Sequence, residues 1–310
     1  SRRSVSFSAL RAERTLNFLC RRRAAEWMIV MEKFDSLIIG EVAQDTNVDF
    51  DGTVVQAVGG AVYYSGCAAA NMGHKIAVLP KADLSQLDVT AAFHEKAPSI
   101  SVFPLNSPHS FVTKNGYHTA DRERRTSTVD SLIAPYTTDE VPVDQIDAAI
   151  WHLAGLAGGD IPNEMIPFAA KHAMVAIDVQ TMLRWVENGG MVYHDWKEKK
   201  ELLPYIRFLK TDAAEAEILT GLTDRAEAAK VLYGWGAKEI LITHNTEVLV
   251  YDGHEIYTCP IKARNLSGRT GRGDTTFAGY INERLTKDIP TALQTATALV
   301  SLKMETPGPF

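Results

Sequence analysis

From Ser36 onward, short apolar runs alternate with helix-patterned stretches, and a chain written this way has few folds open to it. Strands are expected at 36–40, 75–79, 148–153, 174–178, 206–209 and 239–243, where aliphatic and β-branched residues form runs too short for buried helices. Helices are expected at about 60–73, 84–96, 162–172, 212–220 and 223–235, with Gly221 and Gly236 placed where helices stop. Strands separated by helices feed a mostly parallel sheet covered on both faces, so the expected class is a doubly wound α/β domain. Two stretches, 43–58 and 102–128, break the rhythm; in the second, Phe111, Thr113, Tyr117 and Thr119 alternate as strand residues do. Both leave the N-terminal half, and we expect them to meet as a small β-lid over the site that the sheet carries.

At 310 residues the chain can bury a large core, and it has no run of eighteen uncharged apolar residues. Cys20, Cys67 and Cys259 are odd in number and far apart, which suits neither a disulfide framework nor a paired-cysteine zinc site. A reducing, cytoplasmic setting is the expectation. Charge is unevenly spread. Residues 1–33 carry seven Arg and one Lys against three Glu, a net +5; since the whole chain totals −6, the remainder stands at −11. A body this acidic is a poor polyanion binder, so neither nucleic acid nor a membrane is expected as a partner. The Arg- and Ser-rich residues 1–33 have the composition of an organellar targeting segment, or of an extension ahead of a start at Met28 or Met31. They are placed outside the fold, which then runs 34–310.

The segment with the most chemical content is Ser267-Gly268-Arg269-Thr270-Gly271-Arg272-Gly273-Asp274-Thr275-Thr276. It leads into Phe277, Tyr280, Ile281 and Leu285, whose spacing makes one buried helix face, so the glycines stand at a helix N-terminus. Free backbone N–H groups and the positive end of the helix dipole make such a place an anion site, and Gly271 and Gly273 allow close backbone approach. Preorganised donors of this kind are each worth roughly 3–4 kcal/mol to a transition state that develops negative charge. Arg272 adds a full charge. A carboxylate in that first turn, Asp274, is placed to take a proton from an attacking hydroxyl. Read locally, Asp274 is equally an ordinary N-cap.

The turn resembles the C-terminal motif of the ribokinase-like carbohydrate kinases, the PfkB family, which reads Asp-Thr-x-Gly-Ala-Gly-Asp. The Gly-x-Gly-Asp core matches at Gly271-Arg272-Gly273-Asp274, while Gly268 and Arg272 replace the usual Asp and Ala. The resemblance implies a ribokinase-like fold and transfer of the γ-phosphoryl group of ATP, with Mg²⁺, to a hydroxyl of a sugar, nucleoside or cyclitol. Asp274 would be the base, with Gly271, Arg272 and Gly273 forming the anion hole. A monovalent cation stays open as a further cofactor, and lid strands in such kinases can pair between subunits as a homodimer.

Other landmarks follow in the family's order. Gly59-Gly60 matches its N-terminal glycine pair against the substrate, although a tight helix entry would explain both glycines. The Asn that follows in the family is Tyr64 here, a substrate-side position. Asp45 falls where the family grips substrate hydroxyls, a task for which a carboxylate can accept two hydrogen bonds. Asp212 and Glu215 stand at the family's Asn-x-x-Glu, which organises Mg²⁺ through water and the nucleotide phosphates; three residues apart at a helix start, they also spell a capping box. Asp178 and Arg184 follow a strand end, where sites of open α/β sheets lie, or else form a structural ion pair. Thr243 ends a late strand that borders the nucleotide. Gln180 for Asn, with Gly-Gly-Ala-Val at 59–62, resembles the inositol-kinase-like members and points toward a cyclitol.

No Gly-x-x-x-x-Gly-Lys-Ser/Thr loop is present, which sets aside a P-loop kinase, and no Gly-x-Gly-x-x-Gly follows the first strand, which leaves a dehydrogenase poorly supported. The rival from another class is a sugar- or nucleotide-binding regulatory protein on the same fold that no longer turns over.

Overall fold

In the computed structural model, residues 31–119, 125–265, 267–268 and 270–310 are described. Most of the expected extension, residues 120–124 of the lid and Arg269 of the glycine-rich turn lie outside the described residues. The large sheet runs in the order Ile256–Pro260, Glu247–Tyr251, Glu239–Thr243, Ile206–Asp212, Met174–Asp178, Ile146–Leu153, Glu32–Glu41, Ile76–Ala82 and Ser101–Val102, with Leu105–Asn106 also pairing to Ile76–Ala82. Neighbours are parallel except at one edge, where Glu247–Tyr251 and Ile256–Pro260 run antiparallel. The first strand starts at Glu32, so Glu32 and Lys33, expected outside the fold, belong to it.

Burial on both faces explains the uninterrupted apolar runs. Leu37 and Ile39 enter one hydrophobic cluster while Ile38 enters another on the opposite face, all three fully buried. Helices cover each face, among them Ala61–Asn71, Ala213–Thr220, Arg225–Gly234, Arg272–Glu283 and Ile289–Lys303. Gly221 closes its helix in the left-handed region at φ 75°, as the sequence suggests. The expected helix at 84–96 is shorter, Val89–Lys96, because Asp88 caps it by accepting from the Ala91 N–H. Arg272–Glu283 departs most from expectation. Its apolar spacing predicts one buried face, yet every residue from Thr275 to Asn282 is buried, because the helices Ala61–Asn71 and Ile289–Lys303 pack against it. Its Asn282 accepts at 2.7 Å from Ser36 on the strand Glu32–Glu41, and Gly279 admits the Leu299 side chain.

The lid is a second sheet, in the order Arg184–Glu187, Gly190–Tyr193, Arg125–Ser131, Phe111–Tyr117, Ala43–Val48 and Val54–Gly59. The two expected stretches do meet, Asp45 standing beside Thr113 in parallel register. Two boundaries shift. Val102 pairs with Val78 in the large sheet and not in the lid. The hairpin 184–193, which falls in none of the expected elements, extends the lid through Gly190 beside Thr128. Its turn is Asn188-Gly189, with φ of 51° and 75°, the left-handed pair that a tight hairpin demands.

Candidate active site

Strands Glu32–Glu41, Met174–Asp178, Ile206–Asp212 and Glu239–Thr243 all end on one side of the large sheet, where the lid overhangs and encloses a cavity of about 650 Å³. Asp45, Gly60, Tyr64, Arg184, Asp212 and Thr243 line it, together with Gly271, Arg272, Gly273 and Asp274. Three expected site residues stand one layer behind that wall: Gly59, Asp178 and Glu215.

The glycine-rich turn enters its helix at Gly271, whose φ of 77° is left-handed and whose missing Cβ makes room for the Tyr64 ring. Gly273 brings the helix start to a lysine: a Cβ there would lie 3.1 Å from Lys210 Nζ. Lys210 is buried and pairs with Asp178 Oδ2 at 2.6 Å. Burial works against its charge, but the Asp178, Glu215 and Asp274 carboxylates outweigh burial and raise its pKa. Asp178 is thereby paired with Lys210, its other oxygen accepting from the Gln180 N–H at 3.2 Å. Arg184 is likewise held charged by Tyr193, Glu215 and Asp178 in spite of burial, and it lies over the Tyr193 ring. Arg272 donates to Asn245 Oδ1 at 3.0 Å, next to the end of the Thr243 strand.

Asp274 stands amid these cations and is nonetheless raised to about 6. Burial is the largest cause and the Asp178 charge the next, with Lys210, Arg184 and Lys303 pulling the other way. A carboxylate with that pKa is mostly ionised at neutral pH and still basic enough to take a proton. Glu215, raised to about 7 chiefly by burial, closes the capping box foreseen from the sequence: the Asp212 N–H donates to Glu215 Oε2 and the Glu215 N–H to Asp212 Oδ1, both at 2.8 Å.

The other side of the cavity is polar and belongs to the lid. Asp45 accepts from Thr113 Oγ1 at 2.5 Å and lies over Gly59, where a Cβ would collide with its carboxylate. Gly60, at φ 107°, starts the helix Ala61–Asn71 so close to the Glu41 carbonyl that no side chain fits. Asn115 is held by Ser127, which donates to its Oδ1 at 2.6 Å, and by its own donation to Asn47 Oδ1 at 3.2 Å. Tyr64 joins the two sides, because Asp45 and Asp274, after burial, are the charges that raise its hydroxyl. Lys210, Gln180, Asn115, Ser127 and Tyr193 line the cavity without having been singled out as binding residues. A lysine directly after the expected strand 206–209 and the Asn188-Gly189 pair are the sequence signals that could have found two of them, Lys210 and Tyr193.

No group of three His, Cys, Asp or Glu side chains suited to a metal occurs among the described residues. Asp212 is the carboxylate at the cation-rich side that faces the cavity apart from Asp274. Among the described residues no helix is long and apolar enough to cross a membrane.

Residues 114–309 match the pfkB family carbohydrate kinase. The fold is similar to that of a pyrophosphate-dependent kinase of the ribokinase family solved as its sulfate complex, at 33% identity and a TM-score of 0.81, covering 88% of this chain and 96% of that one. The same values hold, at 32% identity, for a pyrophosphate-dependent kinase of that family complexed with a pyrophosphate analog and myo-inositol. A cytidine kinase of Thermococcus kodakarensis is 24% identical over 266 residues, 80% of this chain and 87% of its own length.

Proposed function

The chain belongs to the pfkB family of carbohydrate kinases, and from that premise we propose that it moves a phosphoryl group from pyrophosphate to a ring hydroxyl of an inositol-like cyclitol, with Asp274 as general base. The observation that carries this reading is the meeting in one cavity of a carboxylate raised to about 6, a helix N-terminus and the cations Arg184, Lys210 and Arg272. The hydroxyl nucleophile loses its proton to Asp274 as its oxygen bonds to phosphorus, and the P–O bond to the leaving phosphate breaks. The N–H groups of the Gly271–Gly273 turn receive the transferred phosphoryl oxygens, while Lys210 and Arg272 offset the charge of the leaving phosphate. Asp45, set by Thr113, accepts from neighbouring acceptor hydroxyls, and Tyr64 walls one side of the ring.

A donor without base or ribose can be held only by charge and hydrogen bonds, and this cavity supplies three cationic side chains beside the helix start. The similarity to pyrophosphate-dependent kinases supports the same donor, and the myo-inositol complex supports the acceptor. ATP, the donor that the family resemblance implies, is the second reading; what favours it is Thr243 lining the cavity at a strand end beside the Arg272–Asn245 contact. With either donor, Asp212, whose carboxylate faces the cavity, would hold Mg²⁺ together with the donor's phosphate oxygens, and Glu215 would support it through water. It would neutralise donor charge.

The test is a matrix of pyrophosphate or ATP against inositols, pentoses, hexoses and nucleosides, following phosphate or ADP release. Turnover with pyrophosphate and an inositol is expected. Turnover with ATP alone selects the second reading, and no turnover combined with ligand-raised melting temperature selects a binding protein.

A further inference from the structure

Lys303 is the last residue of the helix Ile289–Lys303, and with 1% of its surface exposed it is among the most buried lysines of the chain. Its Nζ donates to the Gly268 carbonyl at 2.7 Å and approaches the Thr306 carbonyl at 3.5 Å, while the face of the Tyr64 ring lies 5.4 Å away. Among the described residues no carboxylate comes within ion-pair distance of it. An ammonium seated between backbone carbonyls and a ring face, with no anionic contact, has the surroundings of an alkali cation and not those of a salt bridge.

The two segments joined by this lysine are the start of the glycine-rich turn and the C-terminal turn of the chain's last helix. They are laced together at several points: the Gly268 N–H donates to the Met304 carbonyl at 2.7 Å, and Ser267 Oγ to the Glu305 carbonyl at 2.7 Å. Gly268 lies so close to Thr306 that a Cβ would collide with its carbonyl oxygen, so the Asp that the resemblance places there has no room. Tyr64, whose ring Lys303 faces, also packs on Gly271, and Asp274 is the charge that holds the lysine's pKa up against burial, which brings it to about 8.

We infer that Lys303 supplies from within the chain the charge and carbonyl ligation that a bound monovalent cation would otherwise give the glycine-rich turn, so that turnover needs no potassium, sodium or ammonium. This rests on the kinase reading of the site. Lys303 is a positioning residue: it acts through Gly268 and Tyr64 on the Gly271–Asp274 helix start and touches no reacting atom. The ammonium fixes the turn that presents the backbone donors, and its charge offsets the Asp274 carboxylate nearby.

The experiment uses the full chain in tetramethylammonium buffer, with chloride salts of Na⁺, K⁺ and NH₄⁺ added in turn. Wild type is expected to change less than about twofold across the series. Lys303→Ala is expected to lose about 100-fold in kcat, the scale of losing one preorganised donor set, with a smaller change in acceptor KM. Tens of millimolar K⁺ or NH₄⁺ should then restore about tenfold of that loss, because the substitution opens a cation-sized space between the same carbonyls. Lys303→Met, which fills the space without a charge, should not be restored. Activation of wild type several-fold by K⁺, or full activity of Lys303→Ala without cations, overturns the inference, as does a loss that no cation restores. Should no donor and acceptor pair give turnover, the kinase reading fails by itself. The melting temperature still tests Lys303, since K⁺ or NH₄⁺ should raise it for Lys303→Ala and not for wild type, and the absence of that difference overturns the inference.

Discussion

Asp274→Asn removes the proton acceptor while keeping the side chain's shape, and its effects on rate and on stability should point in opposite directions. With a pKa of about 6, roughly nine-tenths of Asp274 is ionised at pH 7 and roughly one-tenth at pH 5. The wild-type kcat/KM should therefore fall on the acid side with a midpoint near 6. A general base contributes about 10²–10⁴-fold, so Asp274→Asn should lose that much at pH 7 while binding the donor nearly as well. Stability follows from the sign of the shift. The unfolded carboxyl releases its proton near 3.8 and the folded one near 6, so the folded state binds more protons between those values and this group's contribution to stability falls as pH rises through them. Above the folded value the penalty is complete. Its ceiling is about 3 kcal/mol, reduced because Asp274 opens on the cavity; the pull of Lys210, Arg184 and Lys303 is already contained in the value of about 6. Asp274→Asn should thus melt no lower than wild type at pH 7, with the gap in its favour narrowing toward pH 5. The checks are a pH–rate profile from 5 to 9 and thermal melts at both ends. A variant within about tenfold of the wild-type rate, or an unchanged acid limb in it, refutes Asp274 as base.

Lys210→Met should leave Asp178 buried beside an apolar side chain, at a cost of about 3–5 kcal/mol read by denaturant unfolding, and Asp178→Asn in the same chain should recover part of it. Gly271→Ala meets both a left-handed φ of 77° and the Tyr64 ring, so kcat should fall at least about tenfold with donor KM raised. Asn115→Leu removes an amide that Ser127 and Asn47 hold in the cavity wall; acceptor KM should rise by about 10–100-fold, and phosphorus NMR of the product should show a changed ratio of phosphorylated positions.

What the sequence made legible and what it hid divide along a physical line. Periodicity reports which residues are buried, and the parallel strands announced themselves because burial on two faces leaves few polar positions: Met174–Asp178 and Glu239–Thr243 fall where the sequence places them. The helix Arg272–Glu283 shows the limit of that signal. Thr275, Thr276 and Asn282 are buried there with the apolar residues; Thr276 Oγ1 donates to the Arg272 carbonyl and Asn282 accepts from Ser36, while the Thr275 hydroxyl has no partner among the described residues, so polarity in the sequence concealed their burial. The hairpin 184–193 was hidden for another reason: its residues are half-exposed and short of apolar alternation, and only the Asn188-Gly189 turn marked it.

The same division runs through the candidate site. Glycines with a steric reason were legible as glycines but not as to their reason. Gly59 yields to a carboxylate, Gly60 to a carbonyl, Gly271 to an aromatic ring and Gly273 to an ammonium, four partners that sequence order alone does not distinguish. The sequence offers Asp212 and Glu215 both as a cap and as a cation site, and the structure shows the cap. The cap consumes one oxygen of each, while burial holds Glu215 near pH 7, so a cation approaching Asp212 would favour the ionised form of its neighbour. Charge pairing across more than thirty residues leaves no local pattern at all. Lys210 with Asp178, and Lys303 with the Gly268 carbonyl, become visible only when the fold brings them together, and both lie directly behind the turn that the sequence did pick out. The part of the site that could be read in one dimension is the glycine-rich turn; the part that sets its charge is assembled in three.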